Sequence, residues 1–180
     1  HYNIHRTIIK KKFRRKKIMS IVWRDKVLSS YNGNIESVVV TDAGANYPNG
    51  IFVTLGKLVE GEREVKTATK AKSGKDDVLL IATPEVMYEA GAEIDDFLNK
   101  EEGVARAFRL ADGDVITLTN DLVDGTPAVG DIYVTGSGGK LVKAGSGNLE
   151  ADAVTKFVVR ELAGHELTRK QTATRFDVVK

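Results

Sequence analysis

Turn signals recur every 8 to 14 residues in the second half of this sequence, and this spacing constrains the fold more than any other feature. Between the turns, apolar and polar residues alternate with the period of two that half-buried strands show. The predicted strands of this half are residues 105–110, 115–119, 131–135, 140–143, 157–162 and 174–179. Short strands joined by tight turns are typical of antiparallel barrels and sandwiches. We therefore predict a mainly β fold, built as a small antiparallel β-barrel or sandwich.

The first half of the sequence continues the same pattern. Strands are predicted at residues 35–41, 51–55, 62–66 and 78–82, and residues 21–28 predict either a first strand or a helical turn. One short helix is predicted at residues 91–102, because Ile94, Phe97 and Leu98 fall at positions i, i+3 and i+4 and Gly103 follows them. A single helix of this length leaves the fold class unchanged.

The distribution of charge divides the chain into an arm and a body. Residues 1–18 contain eight Lys and Arg and no acid, whereas the rest carries 19 Lys and Arg against 25 Asp and Glu. We expect four parts along the chain. They are an extended basic arm at residues 1–18, an N-terminal segment at 19–33, a β-rich part at 34–104 and a small barrel-like C-terminal part at 105–180.

The basic arm has two interpretations. A polycation neutralises phosphates without reading a base sequence, so the arm would contact nucleic acid if it belongs to the natural protein. The cations concerned are Lys10, Lys11, Lys12, Arg14, Arg15, Lys16 and Lys17. The residues from Arg14 to Met19 are also what a purine-rich ribosome-binding site, a short spacer and a start codon encode in frame. We favour this second interpretation, with Met19 as the natural start and no nucleic acid as a partner.

The residue types that catalysis and metal binding require are scarce in the body. The chain contains no cysteine, and His165 is the only histidine after the arm. Residues 136–140 have the glycines and lysine of a phosphate-binding loop, but Leu141 stands where that loop requires Ser or Thr. The carboxylate pairs, such as Asp112 and Asp114, fall mostly in predicted turns or on the predicted helix, where solvated charge is usual. We predict no catalytic, cofactor or metal site, a protein that is not an enzyme, and no membrane-spanning segment.

Several motifs of turns and strand edges stand out between residues 34 and 180. They are NGIFVTLG at 49–56, LVEGEREV at 58–65, ATPEVMY at 82–88, FRLADGD at 108–114, DGTPAVGD at 124–131, GKL at 139–141 and VVR at 158–160. In these motifs the chain resembles a family of small tailed-phage head proteins of the decoration, or cement, type. The arm before Met19 lies outside the resemblance, which agrees with the translated-leader interpretation.

This resemblance implies a virion structural protein, made in the host cytoplasm and bound to the outer surface of the capsid. The expected partner is the major capsid protein, whose subunits it would bridge, and a homo-oligomer on the capsid is a further option. Two alternatives stay open. One is a structural protein of the tail or fibre base, and the other is a nucleic-acid-contacting protein that uses the basic arm.

The expected capsid contacts come from apolar residues near the N-terminus and from long loops. Five apolar residues lie outside the region of resemblance, and an exposed apolar segment of this kind usually marks an interface. They are Ile21, Val22, Trp23, Val27 and Leu28. We predict Trp23, Val27, Leu28 and Tyr47 at the interface, with Trp23 as the anchor because buried aromatic side chains dominate interface energetics. The loops at residues 42–50, 67–77 and 136–139 are predicted to reach the partner.

Overall fold

The computed structural model describes residues 20–32, 34–44, 46–86, 97–145, 152–163 and 171–180. This part of the chain is mainly β, as predicted, and contains one short helix, α1 (Leu28–Asn32). The strands are β1 (Val22–Lys26), β2 (Ile35–Val40), β3 (Phe52–Leu58), β4 (Val65–Lys70), β5 (Leu79–Ile81), β6 (Val104–Arg109), β7 (Val115–Thr119), β8 (Ile132–Thr135), β9 (Leu141–Lys143), β10 (Lys156–Ala163) and β11 (Ala173–Val179).

The first half of the chain forms a closed five-stranded barrel in the order β2-β4-β3-β5-β6. Four of its five strand pairs are antiparallel, and β2 with β4 is the parallel pair. Val38 and Val40 of β2 are buried, while Ile35, at the start of the strand, is exposed. Alternate residues of a barrel strand face the interior, so β2 places Val38 and Val40 in the core, whereas Ile35 and Val39 do not face it.

The second half forms a six-stranded antiparallel sheet in the order β1-β7-β11-β10-β8-β9. The predicted division at residue 105 is wrong in one respect, because β6 closes the barrel by pairing with both β2 and β5. The closed barrel therefore lies within residues 35–109 and not in the C-terminal part. Of the two structures predicted for residues 21–28, a strand forms at Val22–Lys26, where β1 pairs with β7 at the sheet edge.

One hydrophobic core joins the barrel to the sheet. The ring of Phe52 in β3 lies 4.9 Å from the ring of Phe157 in β10, measured between centroids. A 3₁₀ turn at Ser137–Gly139, between β8 and β9, packs on the barrel, where the Gly139 amide donates to the Ala71 carbonyl at 3.1 Å. Buried residues of both halves form a single cluster, so the two halves should unfold together.

The helix predicted at residues 91–102 is wrong where the structure describes it, at residues 97–102; residues 91–96 lie outside the described part. Asn99 forms an isolated β-bridge with Tyr47, with N–H···O distances of 3.0 and 2.8 Å in the two directions. The side-chain amide Nδ2 of Asn99 also donates to Oδ1 of Asn49 at 3.0 Å. These tertiary hydrogen bonds hold the segment extended and outweigh its weak helical periodicity.

An ion-pair cluster connects the C-terminal residue of the sheet half to the barrel half. Asp77, in the loop before β5, accepts from Arg109 at 2.7 Å and from Lys180 at 3.3 Å. Burial alone would raise the pKa of Asp77, but the Lys180 ammonium and the Arg109 guanidinium outweigh it and hold the pKa below its usual value. The cluster is half exposed, so its stabilisation is modest.

We expect Asp77→Asn to lower the free energy of unfolding at pH 7 by less than about 1 kcal/mol. The pKa of Asp77 is lower in the folded than in the unfolded protein. The extra stability of the wild type over Asp77→Asn is therefore complete above the unfolded pKa and disappears as the pH falls through the folded pKa. Urea unfolding from pH 7 down to the lowest pH at which both proteins fold measures how the difference between their free energies of unfolding shrinks. Asp152→Asn, at an exposed pair with Lys75, is the matched control and should change little. A constant difference at all pH values would rule out the electrostatic explanation.

Candidate partner-binding surface

The four predicted interface residues divide into two buried and two accessible side chains. Val27 and Tyr47 are each 1% exposed and belong to the core, so their prediction as contact residues is wrong. Burial raises the pKa of Tyr47 to about 12, which keeps its hydroxyl neutral. Trp23 is half-buried in β1, and Leu28 is 50% exposed at the start of α1.

α1 is held in a fixed position by a buried carboxylate. The side chain of Asp114, 2% exposed, accepts from the Leu28 amide at 2.8 Å and from the Ala111 amide at 2.7 Å. The buried side chain of Val27 anchors the chain immediately before the helix. Asp114 thus has a structural role, in which it ties α1 to the turn between β6 and β7.

Two large apolar side chains stand out from this fixed helix. Leu28 is 50% exposed and Tyr31 is 77% exposed, and their spacing of three residues places them on one side of the helix. We call this pair the α1 patch. Tyr31 was not predicted as an interface residue. A helix at this segment would have predicted it, because Tyr31 follows Leu28 by three residues and so lies on the same side of the helix.

Trp23 lies at the end of a row of side chains that crosses four strands. The strand registers place Trp23 opposite Thr117, Thr117 opposite Arg175, and Arg175 opposite Glu161. Arg175 forms an ion pair with Glu161 and another with Asp25 at 3.4 Å, and its Nε donates to Thr117 at 3.2 Å. The Arg175 guanidinium thus connects β1 to the sheet through Asp25. The half-buried indole of Trp23 lies beside this row of polar side chains.

A groove of about 410 Å³ opens at the end of the barrel where β3 ends and β2 and β4 begin. Its lining residues are Ile35, Glu36, Ser37, Leu58, Arg63, Glu64 and Lys66. Glu36 and Lys66 form an ion pair at 2.9 Å. Ile35 and Leu58 remain 37% and 54% exposed, so the groove has an apolar lip. We call it the mouth groove.

The loops predicted to reach a partner are partly structural. Gly136 and Gly139 are buried, because the turn that contains them packs on the barrel. Residues 65–70 form β4, and Ala71 is in the core. In the loop at residues 42–50, Asn49 is buried and donates to the Thr83 carbonyl at 2.8 Å. The turn at residues 136–139 thus joins the sheet half to the barrel, whereas Asn49 and residues 65–71 are built into the barrel half.

Other predicted features have structural roles or lie outside the described part of the chain. Among the described residues, no three His, Asp or Glu side chains come together as metal ligands. Asp112 accepts from the Lys180 amide at 3.1 Å, so this carboxylate is engaged at the C-terminus. His165 and the predicted nucleic-acid contacts fall outside the described residues; those contacts are Lys10, Lys11, Lys12, Arg14, Arg15, Lys16 and Lys17.

The described residues contain no helix with the length and apolar character needed to cross a membrane. In comparisons with known proteins, no protein-family model, no curated protein and no solved structure matches the chain. The resemblance to phage head proteins therefore stays a prediction. The mainly β fold, with its closed barrel and attached sheet, rests on the chain's own structure.

Proposed function

We propose that this protein is a non-catalytic component of a tailed-phage particle that binds the outer capsid surface and bridges coat subunits. The α1 patch carries the proposal. An exposed Leu and Tyr on a helix that a buried carboxylate fixes form a pre-organised apolar surface, and such surfaces mark binding sites. The resemblance of the turn and strand-edge motifs to those of decoration proteins suggests the coat lattice as the partner.

The proposed role follows from mass action. A protein that binds assembled coat subunits but not separated ones stabilises the lattice by RT ln(1 + [L]/Kd) at each site. Many copies on one shell multiply this effect, so modest affinity at each site gives a large gain in shell stability. Such a protein needs a stable fold and a rigid contact surface, and the shared core with its clasped C-terminus supports this role.

We expect the double variant Leu28→Asp, Tyr31→Asp to bind shells about 100-fold more weakly, since two interface anchors contribute about 3 kcal/mol together. Purified protein is mixed with shells that lack it, and bound copies and shell melting are measured. Leu162→Asp, at a position 50% exposed on β10, is the matched control and should bind normally. In the same assay, Trp23→Ala tests the predicted anchor.

Two results would overturn the proposal. One is wild-type protein that does not bind heads or binds tails alone, which would favour the tail alternative. The other is normal binding by the folded double variant, which would remove the α1 patch from the interface. Circular dichroism of each variant separates lost binding from lost folding.

A further inference from the structure

A buried side-chain amide holds three stretches of the barrel half together. Asn49 lies just before β3, and its Nδ2 donates to the Thr83 carbonyl at 2.8 Å and to the Glu85 carboxylate at 3.3 Å. Its Oδ1 accepts from the Thr83 amide at 3.0 Å and from Nδ2 of Asn99 at 3.0 Å. We call residues 47–50, 81–85 and 99 the Asn49 corner. Because Asn49 uses both of its donors and both of its acceptor positions, the corner depends on this amide.

The residue that follows this amide has to be glycine. The φ of Gly50 is 89°, in the left-handed region that side chains disfavour. A Cβ at this position would also collide with Cδ1 of Leu122, a buried residue of the sheet half. The fold thus requires asparagine followed by glycine at this point, for two independent reasons.

Asparagine followed by glycine is the pair of residues most prone to spontaneous deamidation. The backbone nitrogen of the glycine attacks the side-chain carbonyl carbon of the asparagine and forms a cyclic imide. The side-chain nitrogen leaves as ammonia and takes the proton of the attacking N–H. One water molecule then opens the imide at either carbonyl, which yields aspartate or isoaspartate. Glycine permits the attack because it has no side chain beside the attacking nitrogen.

The closed Asn49 corner opposes this attack. The Gly50 amide donates to the Ile81 carbonyl at 2.8 Å, so the attacking nitrogen is already engaged. The hydrogen bonds of Asn49 also hold its side-chain carbonyl and its leaving nitrogen in place, and the side chain must give them up to react. The reaction therefore proceeds in molecules whose corner has opened, and its rate reports the population of that open state.

We propose that Asn49–Gly50 is a latent deamidation site and that its reaction with water irreversibly opens this corner of the barrel. The aspartate product would hold a carboxylate beside Glu85 and would present no donor to the Thr83 carbonyl. The isoaspartate product would also lengthen the backbone by one carbon. Neither product restores the hydrogen bonds of the amide, so the change accumulates with the age of the protein. This inference does not depend on the capsid role.

Peptide mapping of aged protein by mass spectrometry tests the proposal. Asn32–Gly33, the second such pair in the sequence, is the internal standard, and in urea the two pairs should deamidate at similar rates. We expect Asn49 to react at least about 100-fold more slowly in the folded protein than in urea, which corresponds to an opening free energy of about 3 kcal/mol. Similar rates at Asn49 in the folded and the unfolded protein would overturn the proposal.

Two variants distinguish opening of the corner from unfolding of the whole chain. Asn99→Ala removes the donor to Oδ1 of Asn49 and should speed deamidation of Asn49 in the folded protein about tenfold. Thr174→Ala is the matched control, because it removes a buried side-chain hydrogen bond of 2.8 Å to Asn120 in the sheet half. It should leave the rate at Asn49 unchanged. Equal acceleration by the two variants would contradict opening at the corner.

Hydrogen exchange measures the consequence of the reaction. Asn49→Asp produces the aspartate product directly, and we expect the Tyr47 and Asn99 amides, which bond to each other's carbonyls, to lose protection in this variant. The Ala71 amide, which donates to the Phe52 carbonyl away from the corner, should stay protected. Wild-type protection at Tyr47 and Asn99 in Asn49→Asp would show that deamidation does not open the corner, and would overturn the proposal while leaving the shell-binding assay unaffected.

Discussion

Gly139→Ala should lower the free energy of unfolding by about 3 kcal/mol, one of the two largest effects expected of a single substitution here. The backbone φ of Gly139 is 74°, in the left-handed region that side chains disfavour. A Cβ there would lie 2.4 Å from the Phe52 carbonyl oxygen and 3.1 Å from its nitrogen. Both atoms are backbone, so the turn and β3 would have to separate.

Gly138→Ala is the matched control for this effect. The φ of Gly138 is 81°, similar to that of Gly139, but a Cβ at this position would meet nothing within 4 Å. We expect it to cost about 1 kcal/mol, the conformational part alone. Urea unfolding of the three proteins measures the difference. Equal losses in the two variants would show that the close approach to Phe52 does not hold the halves together.

Phe157→Ala should lower the free energy of unfolding by about 4 kcal/mol, as expected for truncating a fully buried aromatic side chain. Phe157 has no exposed surface, and its ring lies 4.9 Å from Phe52 in the barrel and 6.5 Å from Phe176 in the sheet. The truncation therefore opens a cavity where the two halves meet. Leu162→Ala, on the same strand but half exposed, should cost under about 1 kcal/mol.

The shape of the unfolding transition distinguishes a shared core from two independent domains. With a shared core, Phe157→Ala shifts one cooperative transition, and fluorescence of Trp23 and far-ultraviolet circular dichroism move together. If the barrel unfolded at its original denaturant concentration while the sheet unfolded earlier, the halves would be separate units. The single cluster of buried residues predicts the first result.

The strand pattern of the second half was predictable from sequence because the strands are short apolar-rich runs and the turns between them carry glycine. Strands β7, β8 and β9 begin within a residue of their predicted starts. The Asp112–Asp114 turn shows why, since the φ of Gly113 is 78° and the turn requires glycine there. Where local chemistry fixes the backbone, a short stretch of sequence is sufficient to predict where a turn lies and where the next strand begins.

Features that depend on distant partners were not predictable. The parallel pairing of β2 with β4 has no local signal, because it arises when the barrel closes around a core. The 97–102 segment shows weak helical spacing, yet hydrogen bonds from Asn99 to Tyr47 and Asn49 decide its structure. The division at residue 105 failed for the same reason, since β6 is assigned to the barrel only by its pairing partners.

The candidate surface was predicted in part. Leu28 is exposed as expected, but an apolar residue in sequence does not show which way it faces, and Val27 beside it is buried. Tyr47 is drawn inside by the bridge to Asn99.

A density map of the phage shell with this protein bound tests the central claim most directly. We predict density for the protein on the outer surface, over junctions between coat subunits, with Leu28 and Tyr31 of the α1 patch against the coat. Density on the tail alone, or on the shell with the α1 patch facing solvent, would contradict the account.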